Sequence, residues 1–218
     1  MPAVQYEHHS LRLGNFEIHL RTLLDRNQLE DGEAEFVDGV SAASWSLSGV
    51  VWPSGMALAQ LMLDYDIEGK RILEIGCGIA LPSLVLGQRS ADITATDNNA
   101  AAGRFLLDNT ERNGARAIPF ECAEWNQSGR ETGLGRFDVI IASDVLYEPD
   151  HAADLCDFLE AHATPTAEFL MVDPRRGNVG KFTKRMVGRG YDTDELSAPL
   201  DPATGDAHRV RIVRYRRV

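Results

Sequence analysis

Short apolar runs rich in β-branched residues alternate with helix-like patterns along the chain after Gly69. The strand candidates are 71–75, 92–96, 116–122, 137–143 and 167–173. The helix candidates between and after them are 81–89, 100–114, 151–163 and 181–190. Continuous apolar strands separated by helices indicate a parallel sheet that helices cover on both faces.

The C-terminal part departs from this alternation. Two further strand candidates, 191–198 and 208–218, flank the turn-rich segment APLDPATGDA. Strands joined by such a segment favour an antiparallel pair at the end of a sheet. We therefore predict an α/β fold with a seven-stranded, mostly parallel sheet, a C-terminal antiparallel pair and helices on both faces.

The residues before the sheet carry weaker patterns. The stretch 15–24 is a possible strand. Apolar residues at helical spacing predict a helix over 54–65, with Ser54 as its N-cap. The chain has 218 residues and no internal repeat or low-complexity linker, which suits one domain. We predict a single domain over 1–218, with an N-terminal extension (1–50) and a core (51–218).

The charge balance restricts the partners that the chain can bind. Its formal net charge is −11, which weighs against nucleic acid, because Lys and Arg contacts to phosphates supply most of that affinity. Five arginines lie near the C-terminus: Arg209, Arg211, Arg214, Arg216 and Arg217. Charge on an edge strand discourages aggregation, so we interpret them as solvated edge residues in preference to a patch for an acidic partner.

Cysteine usage and the N-terminus indicate the compartment of the protein. The cysteines are Cys77, Cys122 and Cys156, with no CxxC pair or Cys/His cluster, so we expect neither a disulfide framework nor a metal site. The N-terminus lacks the basic-then-apolar layout of a signal peptide, and no apolar run approaches the ~18 residues of a membrane span. We predict a cytoplasmic location without membrane attachment, and the oligomeric state stays open.

A glycine-containing turn follows the first strand of the predicted sheet. The segment from Glu74 to Ala80, EIGCGIA, has small residues where backbone and ligand must approach closely. Asp97 ends the next strand, about twenty residues further on, where an acidic side chain can bind two ribose hydroxyls. Because Ala80 replaces a third glycine and an acid precedes the first, the turn favours a cofactor with a cationic amino-acid end over a dinucleotide. A plain glycine turn in an α/β sheet is the alternative.

A second candidate site follows the most apolar strand. Asp144 lies where a substrate amine would meet a bound cofactor, because ligands of open parallel sheets sit beyond the carboxyl ends of the strands. Tyr147 follows one turn later. Asp144 could instead cap the next helix. Trp52 and Trp125 could stack on a flat ring or a sulfonium, although tryptophan more often belongs to the core.

Five segments together resemble one known family. They are VVWPSGMALA, LEIGCGIALP, TATDNN, AEWN and ASDVLYE. In order and spacing, over roughly 45–175, they are similar to the seven-β-strand, class I protein lysine methyltransferases called methyltransferase family 16, which have a Rossmann-like sheet. The present chain departs from this group at two positions. It has Ala80 where the group has the third glycine of its motif, and Glu124 where the group has aspartate.

The resemblance implies that the chain binds S-adenosylmethionine (SAM) and releases S-adenosylhomocysteine. With the residues above, the candidate cofactor-binding set is Trp52, Glu74, Gly76, Cys77, Gly78, Asp97, Asn98, Glu124, Trp125 and Ser143. Asp144 and Tyr147 are the candidate catalytic residues, with Asp144 positioning the acceptor nitrogen and water accepting its proton.

Methyl transfer to a lysine side chain of a protein substrate is the function that we expect. Arginine, histidine or a small-molecule amine is an alternative acceptor. A non-catalytic, SAM-binding regulatory module is the alternative from another class.

Overall fold

The computed structural model describes residues 4–28, 36–37, 40–41, 47–127, 133–147, 151–200, 205 and 207–217. The strands are β1 (Tyr6–Leu13), β2 (Phe16–Leu23), β3 (Phe36–Val37), β4 (Val40–Ser41), β5 (Arg71–Ile75), β6 (Asp92–Asp97), β7 (Phe120–Cys122), β8 (Phe137–Ser143), β9 (Ala163–Asp173), β10 (Tyr191–Leu196) and β11 (Arg211–Arg217). The helices are α1 (Pro53–Asp64), α2 (Leu81–Gln88), α3 (Ala100–Arg112), α4 (His151–His162) and α5 (Val179–Gly188), with a short 3-10 helix at Trp125–Gln127.

Seven of these strands form one sheet in the order β10-β11-β9-β8-β5-β6-β7. Strands β9, β8, β5, β6 and β7 are parallel, and β11 is antiparallel to both of its neighbours. Alternate strand residues enter two separate apolar clusters: one contains residues of α1, α2 and α3, and the other contains residues of α4 and α5. The predicted fold class, including the C-terminal antiparallel pair and the helices on both faces, is therefore confirmed.

The N-terminal hairpin of β1 and β2 is attached to α3 by two asparagines. The Asn109 side chain accepts a hydrogen bond from the Arg21 N–H (2.7 Å) and donates one to the Arg21 carbonyl (3.3 Å). Asn113 does the same for His19, at 2.9 and 2.7 Å. Each carboxamide thus takes the place of a peptide group in a neighbouring strand, which satisfies the exposed edge of β2.

The same hairpin supports the segment that leads into α1. Leu20 and Leu23 are buried in the apolar cluster of α1, α2 and α3, and the Leu23 N–H donates to the Gly49 carbonyl at 2.8 Å. A Cβ on Gly49 would lie 2.5 Å from Leu23 Cγ, so only glycine lets the two segments approach this closely. The extension is therefore packed onto the core beside the segment that carries Trp52.

Several predicted boundaries are wrong for local reasons. Helix α1 begins at Pro53, with Trp52 and not Ser54 at the N-cap, because proline fits the first helical position and needs no N–H partner there. Strand β7 is shorter than 116–122, because Pro119 can accept from Ala95 but has no N–H with which to continue the ladder.

The interpretation of the C-terminal arginines as edge residues is also wrong. Strand β11 lies between β10 and β9, so the edge of the sheet is β10. Arg211 pairs with Glu195 at 3.0 Å, and Arg214 pairs with Asp194 at 2.7 Å. These arginines therefore bind carboxylates of the neighbouring strand, as cross-strand pairs of opposite charge do.

Candidate active site

A cavity of about 640 Å³ opens at the carboxyl ends of β5, β6 and β8. This volume lies within the range of small-molecule sites, and the position is the one where open α/β sheets bind ligands. The residues that line it are Leu47, Ser48, Val51, Trp52, Gly55, Gly76, Cys77, Gly78, Ile79, Leu81, Pro82, Asp97, Asn98, Asn99, Glu124, Trp125, Asn126, Ser143, Asp144, Val145, Tyr147, His151, Asp154 and Arg176. All the candidate residues from the sequence are among them except Glu74.

The glycine turn after β5 has a backbone that side chains rarely adopt. Gly76 and Gly78 have φ values of 59° and 52°, in the left-handed region, and Ala80 follows them at 58°. A Cβ on Gly76 would lie 2.8 Å from Val145 Cγ1, so no other residue fits without movement. The Gly78 N–H donates to Asp97 Oδ2 at 2.9 Å, which ties the turn to the end of β6.

Glu74 points away from the cavity, into the start of α2. It is 1% exposed, and its carboxylate accepts from the Ser83 N–H at 2.9 Å and from the Ser83 hydroxyl. Burial raises the pKa of Glu74 to about 8. The side chain therefore braces the turn from inside the protein; it does not line the cavity, so the structure gives no support for the cofactor contact that the sequence suggested.

Asp97 closes the floor of the cavity. Besides Gly78, it accepts a hydrogen bond from the Asn99 N–H at 3.0 Å, through Oδ1. Burial raises the pKa of Asp97, and the hydrogen bonds from the Gly78 and Asn99 backbone oppose that shift. Burial likewise raises the pKa of the adjacent Cys77 thiol well above its usual value, so this cysteine is no nucleophile.

Aromatic side chains form the walls on either side. The Trp52 indole N–H donates to the Leu47 carbonyl at 2.9 Å. Trp125 and Tyr147 each contact His151 edge to face, with ring centroids 5.6 and 4.9 Å apart. His151 begins α4 and was not a sequence candidate, although it follows Tyr147 at helical spacing.

Asp144, at the end of β8, is held in an ion pair. Its backbone is left-handed (φ 54°), and its N–H donates to the Val172 carbonyl at 2.9 Å. Its Oδ1 and Oδ2 accept from Arg176 Nε and Nη2 at 2.5 and 2.7 Å. The pairing raises the pKa of the Arg176 guanidinium. This arginine was not among the candidate site residues, because the sequence alone does not pair it with a residue 32 positions earlier.

Two further observations concern the described residues. None of their helices is both long and apolar enough to cross a membrane. No cluster of three or more His, Cys, Asp or Glu side chains in the described ranges could hold a metal ion.

Comparison with known proteins identifies the family. Residues 40–188 match the profile of the lysine methyltransferase family. The chain belongs to this family. The resemblance of its motifs to protein lysine methyltransferases is thereby confirmed.

Individual relatives of this lysine methyltransferase family member differ in acceptor. The calmodulin-lysine N-methyltransferase of Arabidopsis thaliana is 27% identical over 150 residues, which cover 64% of this chain and 49% of that protein. The histone-arginine methyltransferase METTL23 of Xenopus laevis is 30% identical over 112 residues, covering 48% and 47%. The chain thus spans about half the length of the curated relatives that it matches.

A solved structure shows the same fold. The 16S rRNA N2 G1207 methyltransferase of T. Thermophilus, in complex with AdoMet and guanosine, has a TM-score of 0.68 and covers 100% of this chain and 52% of its own. Its sequence identity is 18%, so the likeness concerns the fold.

Proposed function

We propose that this protein is a SAM-dependent N-methyltransferase that modifies a lysine side chain of a protein substrate. The observation that carries the proposal is the joint lining of one cavity by the glycine turn with Asp97 and by Asp144 with Tyr147. The first pair suits a nucleoside with an amino-acid tail, and the second suits an amine.

The cofactor end of the cavity fits SAM chemically. A carboxylate offers about four lone pairs, and Asp97 uses three of them on the backbone N–H groups of Gly78, Asn98 and Asn99, so it can still accept from one ribose hydroxyl. The left-handed turn at Gly76 and Gly78 leaves room for a close approach of the ligand. Trp52, Cys77, Asn98, Glu124, Trp125 and Ser143 complete the proposed binding set.

The acceptor end positions the nitrogen. Bound SAM supplies a methyl group on a positively charged sulfur, which carries the chemical drive. Asp144 accepts a hydrogen bond from the acceptor nitrogen and orients it, while Tyr147 and Trp125 exclude bulk water from the approach. Water takes the proton that the amine loses.

Asp144→Ala should abolish methyl transfer and leave SAM affinity within about tenfold, a difference of ~1.4 kcal/mol. The measurement is isotope transfer from labelled SAM to proteins of a cell extract, together with a SAM titration of the purified protein. Asp192→Ala, on the exposed edge strand β10, is the matched control. Undiminished transfer by the Asp144 variant would remove this residue from the proposal.

The same labelling experiment separates the other functions. A relative named for histone-arginine methylation is about as similar as the lysine-specific one, so arginine is the second candidate acceptor. Acid hydrolysis of the labelled protein names the modified side chain. Label in small molecules alone would indicate a free amine substrate, and no label at all would indicate a SAM-binding module without catalysis.

The remaining features of the proposal concern partners and place. A protein substrate fits the family, and the net charge of −11 supports the absence of nucleic acid among the ligands. The cytoplasmic location, the absence of membrane attachment and the single-domain organisation over 1–218 stay predictions.

A further inference from the structure

The acceptor end of the cavity contains a cation of the protein itself. Arg176 lines the cavity and donates hydrogen bonds to both carboxylate oxygens of Asp144. Such a bidentate pair combines charge attraction with two aligned hydrogen bonds. The Asp144 side chain is only 14% exposed and that of Arg176 is 45% exposed, so the pair lies at the inner wall of the opening. The residue proposed to orient the substrate amine is therefore already neutralised.

The loop after β9 is built to hold this arginine in place. Arg175 and Gly177, on either side of Arg176, have φ values of 70° and 91°. The Arg176 N–H donates to Asp173 Oδ1 at 3.0 Å, and Asn178 Nδ2 donates to the Leu146 carbonyl at 2.8 Å. A left-handed, non-glycine backbone persists only where its surroundings determine it, and such residues cluster at functional sites.

A buried carboxylate beneath the loop adds to the need for this cation. Asp173 is 1% exposed, and its Oδ2 atom has no hydrogen-bond partner among the described residues. The charge of Arg176 interacts favourably with Asp173 as well as with Asp144. One guanidinium thus balances two carboxylates.

Pairing changes which form of a substrate Asp144 can bind. An unpaired carboxylate would bind lysine as the ammonium, whose nitrogen has no lone pair for attack. When Arg176 holds the carboxylate, free lone pairs on Asp144 still accept from an N–H, but a second cation beside the guanidinium is repelled. A neutral amine is then favoured, and it can donate one N–H to Asp144 and keep its lone pair free.

The other ionisable groups around the pair are common to every form of the protein. Those of the described residues that line the cavity or lie under the loop are Cys77, Asp97, Glu124, Tyr147, His151, Asp154 and Asp173. None of them is changed in the comparison below, so all of them are present in wild type and variant alike.

We propose that Arg176 is the specificity-determining residue of the acceptor site: it keeps Asp144 paired, so that the site accepts an uncharged lysine amine and rejects lysine ammonium and arginine guanidinium. The inference rests on the proposed function and adds the reason why the acceptor site would select lysine over arginine. Arginine side chains remain protonated in proteins, so no accessible pH would make them acceptable.

The test measures binding without turnover. Nα-acetyl-lysine methylamide and its arginine analogue are titrated into protein containing excess S-adenosylhomocysteine, and ligand-observed NMR follows the acetyl methyl signal. Because a free lysine has a pKa of ~10.4, its neutral fraction rises about 70-fold between about pH 8 and about pH 10. Wild-type affinity should rise by about the same factor, and the arginine analogue should not bind.

Arg176→Gln should reverse this selection. The variant should bind the lysine probe at about pH 8, change by less than about twofold at about pH 10, and bind the arginine analogue. Arg175→Gln is the matched control: it removes the same charge from the same loop, but Arg175 contacts the Val210 carbonyl and not Asp144, so wild-type behaviour is expected. Arg176→Lys, which keeps the charge, should also retain the steep pH dependence.

Several outcomes would overturn the role of Arg176. They are a flat pH dependence in the wild type, wild-type binding of the arginine analogue, no binding of either probe, and an Arg176→Gln profile that matches the wild type. If the glutamine variant does not fold, the wild-type titration of the arginine analogue at about pH 8 decides the matter, because binding of that analogue would overturn the proposal. Failure of isotope transfer with a steep wild-type profile would instead remove only the proposed function.

Discussion

Gly76, in the glycine turn, has both a left-handed backbone and a close contact with a neighbouring side chain. Gly76 and Gly69 have similar φ values, 59° and 67°, but a Cβ on Gly76 meets Val145 at 2.8 Å, whereas a Cβ on Gly69 meets nothing within 4 Å. A comparison of the two positions therefore separates the cost of the close contact from the cost of the left-handed conformation.

Gly76→Ala should lower the free energy of unfolding by about 2–5 kcal/mol, the sum of a left-handed alanine and an overpacked contact. Gly69→Ala should cost only about 1–2 kcal/mol, from the conformation alone. Urea denaturation of both variants provides the measurement. Equal losses would mean that Val145 moves aside freely and that the turn has room for a side chain.

Glu74 makes stability depend on pH. Its pKa of about 8 in the folded protein exceeds the ordinary value of 4.5, so between these pH values the native state binds more protons than the unfolded state. The free energy of unfolding therefore falls as pH rises through this window, and the loss is complete above about 8. Glutamine does not titrate and can still accept from Ser83.

Relative to Glu74→Gln, the wild type should lose roughly 1 kcal/mol of stability per pH unit between about pH 5 and about pH 8. Urea midpoints measured at several pH values test this. Glu111→Gln, at an exposed position of α3, is the control and should show no such slope difference. Parallel pH curves for wild type and Glu74→Gln would contradict the burial of a carboxyl group with a raised pKa.

At the residue level, the predictable part of the cavity lining was the part that short-range motifs carry. The glycine turn, Asp97 and Asp144 each follow directly from a strand, and strand ends meet at one edge of a parallel sheet. Glu74 differs, since a side chain in the same strand can face either the ligand or the neighbouring helix. Arg176 was out of reach, because its partner is set by the long-range packing of β8 against β9.

At the scale of elements, the accuracy of the prediction followed the strength of the apolar pattern. Strands β5 and β8 have the predicted bounds, since both are short, mostly apolar and largely buried in the centre of the sheet. Strand β1 was missed, because most of its residues are at least partly exposed and its sequence shows no alternation. The attachment of the hairpin to α3 depends on hydrogen bonds from two asparagines, and polar residues of this kind do not contribute to an apolar pattern.

Asn109→Ala should destabilise the protein by about 2–3 kcal/mol, because the N–H and carbonyl of Arg21 lose their partners at once. Hydrogen exchange at the Arg21 amide should accelerate in the alanine variant. Leu107→Ala, 57% exposed on the same helix, is the control, and an equal effect there would remove the special role of Asn109.

For the molecule as a whole, the question is whether the N-terminal extension unfolds together with the sheet. Leu20 of the hairpin is 1% exposed and shares an apolar cluster with α1, α2 and α3. The tryptophans, at positions 45, 52 and 125, all follow the hairpin in the sequence, so none of them is a residue of β1 or β2. Tryptophan fluorescence can therefore show whether a mutation in the hairpin changes the unfolding of the rest of the chain.

Leu20→Ala should lower the free energy of unfolding by about 2–5 kcal/mol, as large-to-small changes in a core do. If hairpin and sheet form one cooperative unit, the midpoints seen by tryptophan fluorescence and by far-ultraviolet circular dichroism should shift together. Leu24→Ala, 54% exposed just after β2, should change neither midpoint appreciably. A fluorescence midpoint that stays at the wild-type value in Leu20→Ala would mean that the extension folds independently of the core, and the single-domain prediction would then be wrong.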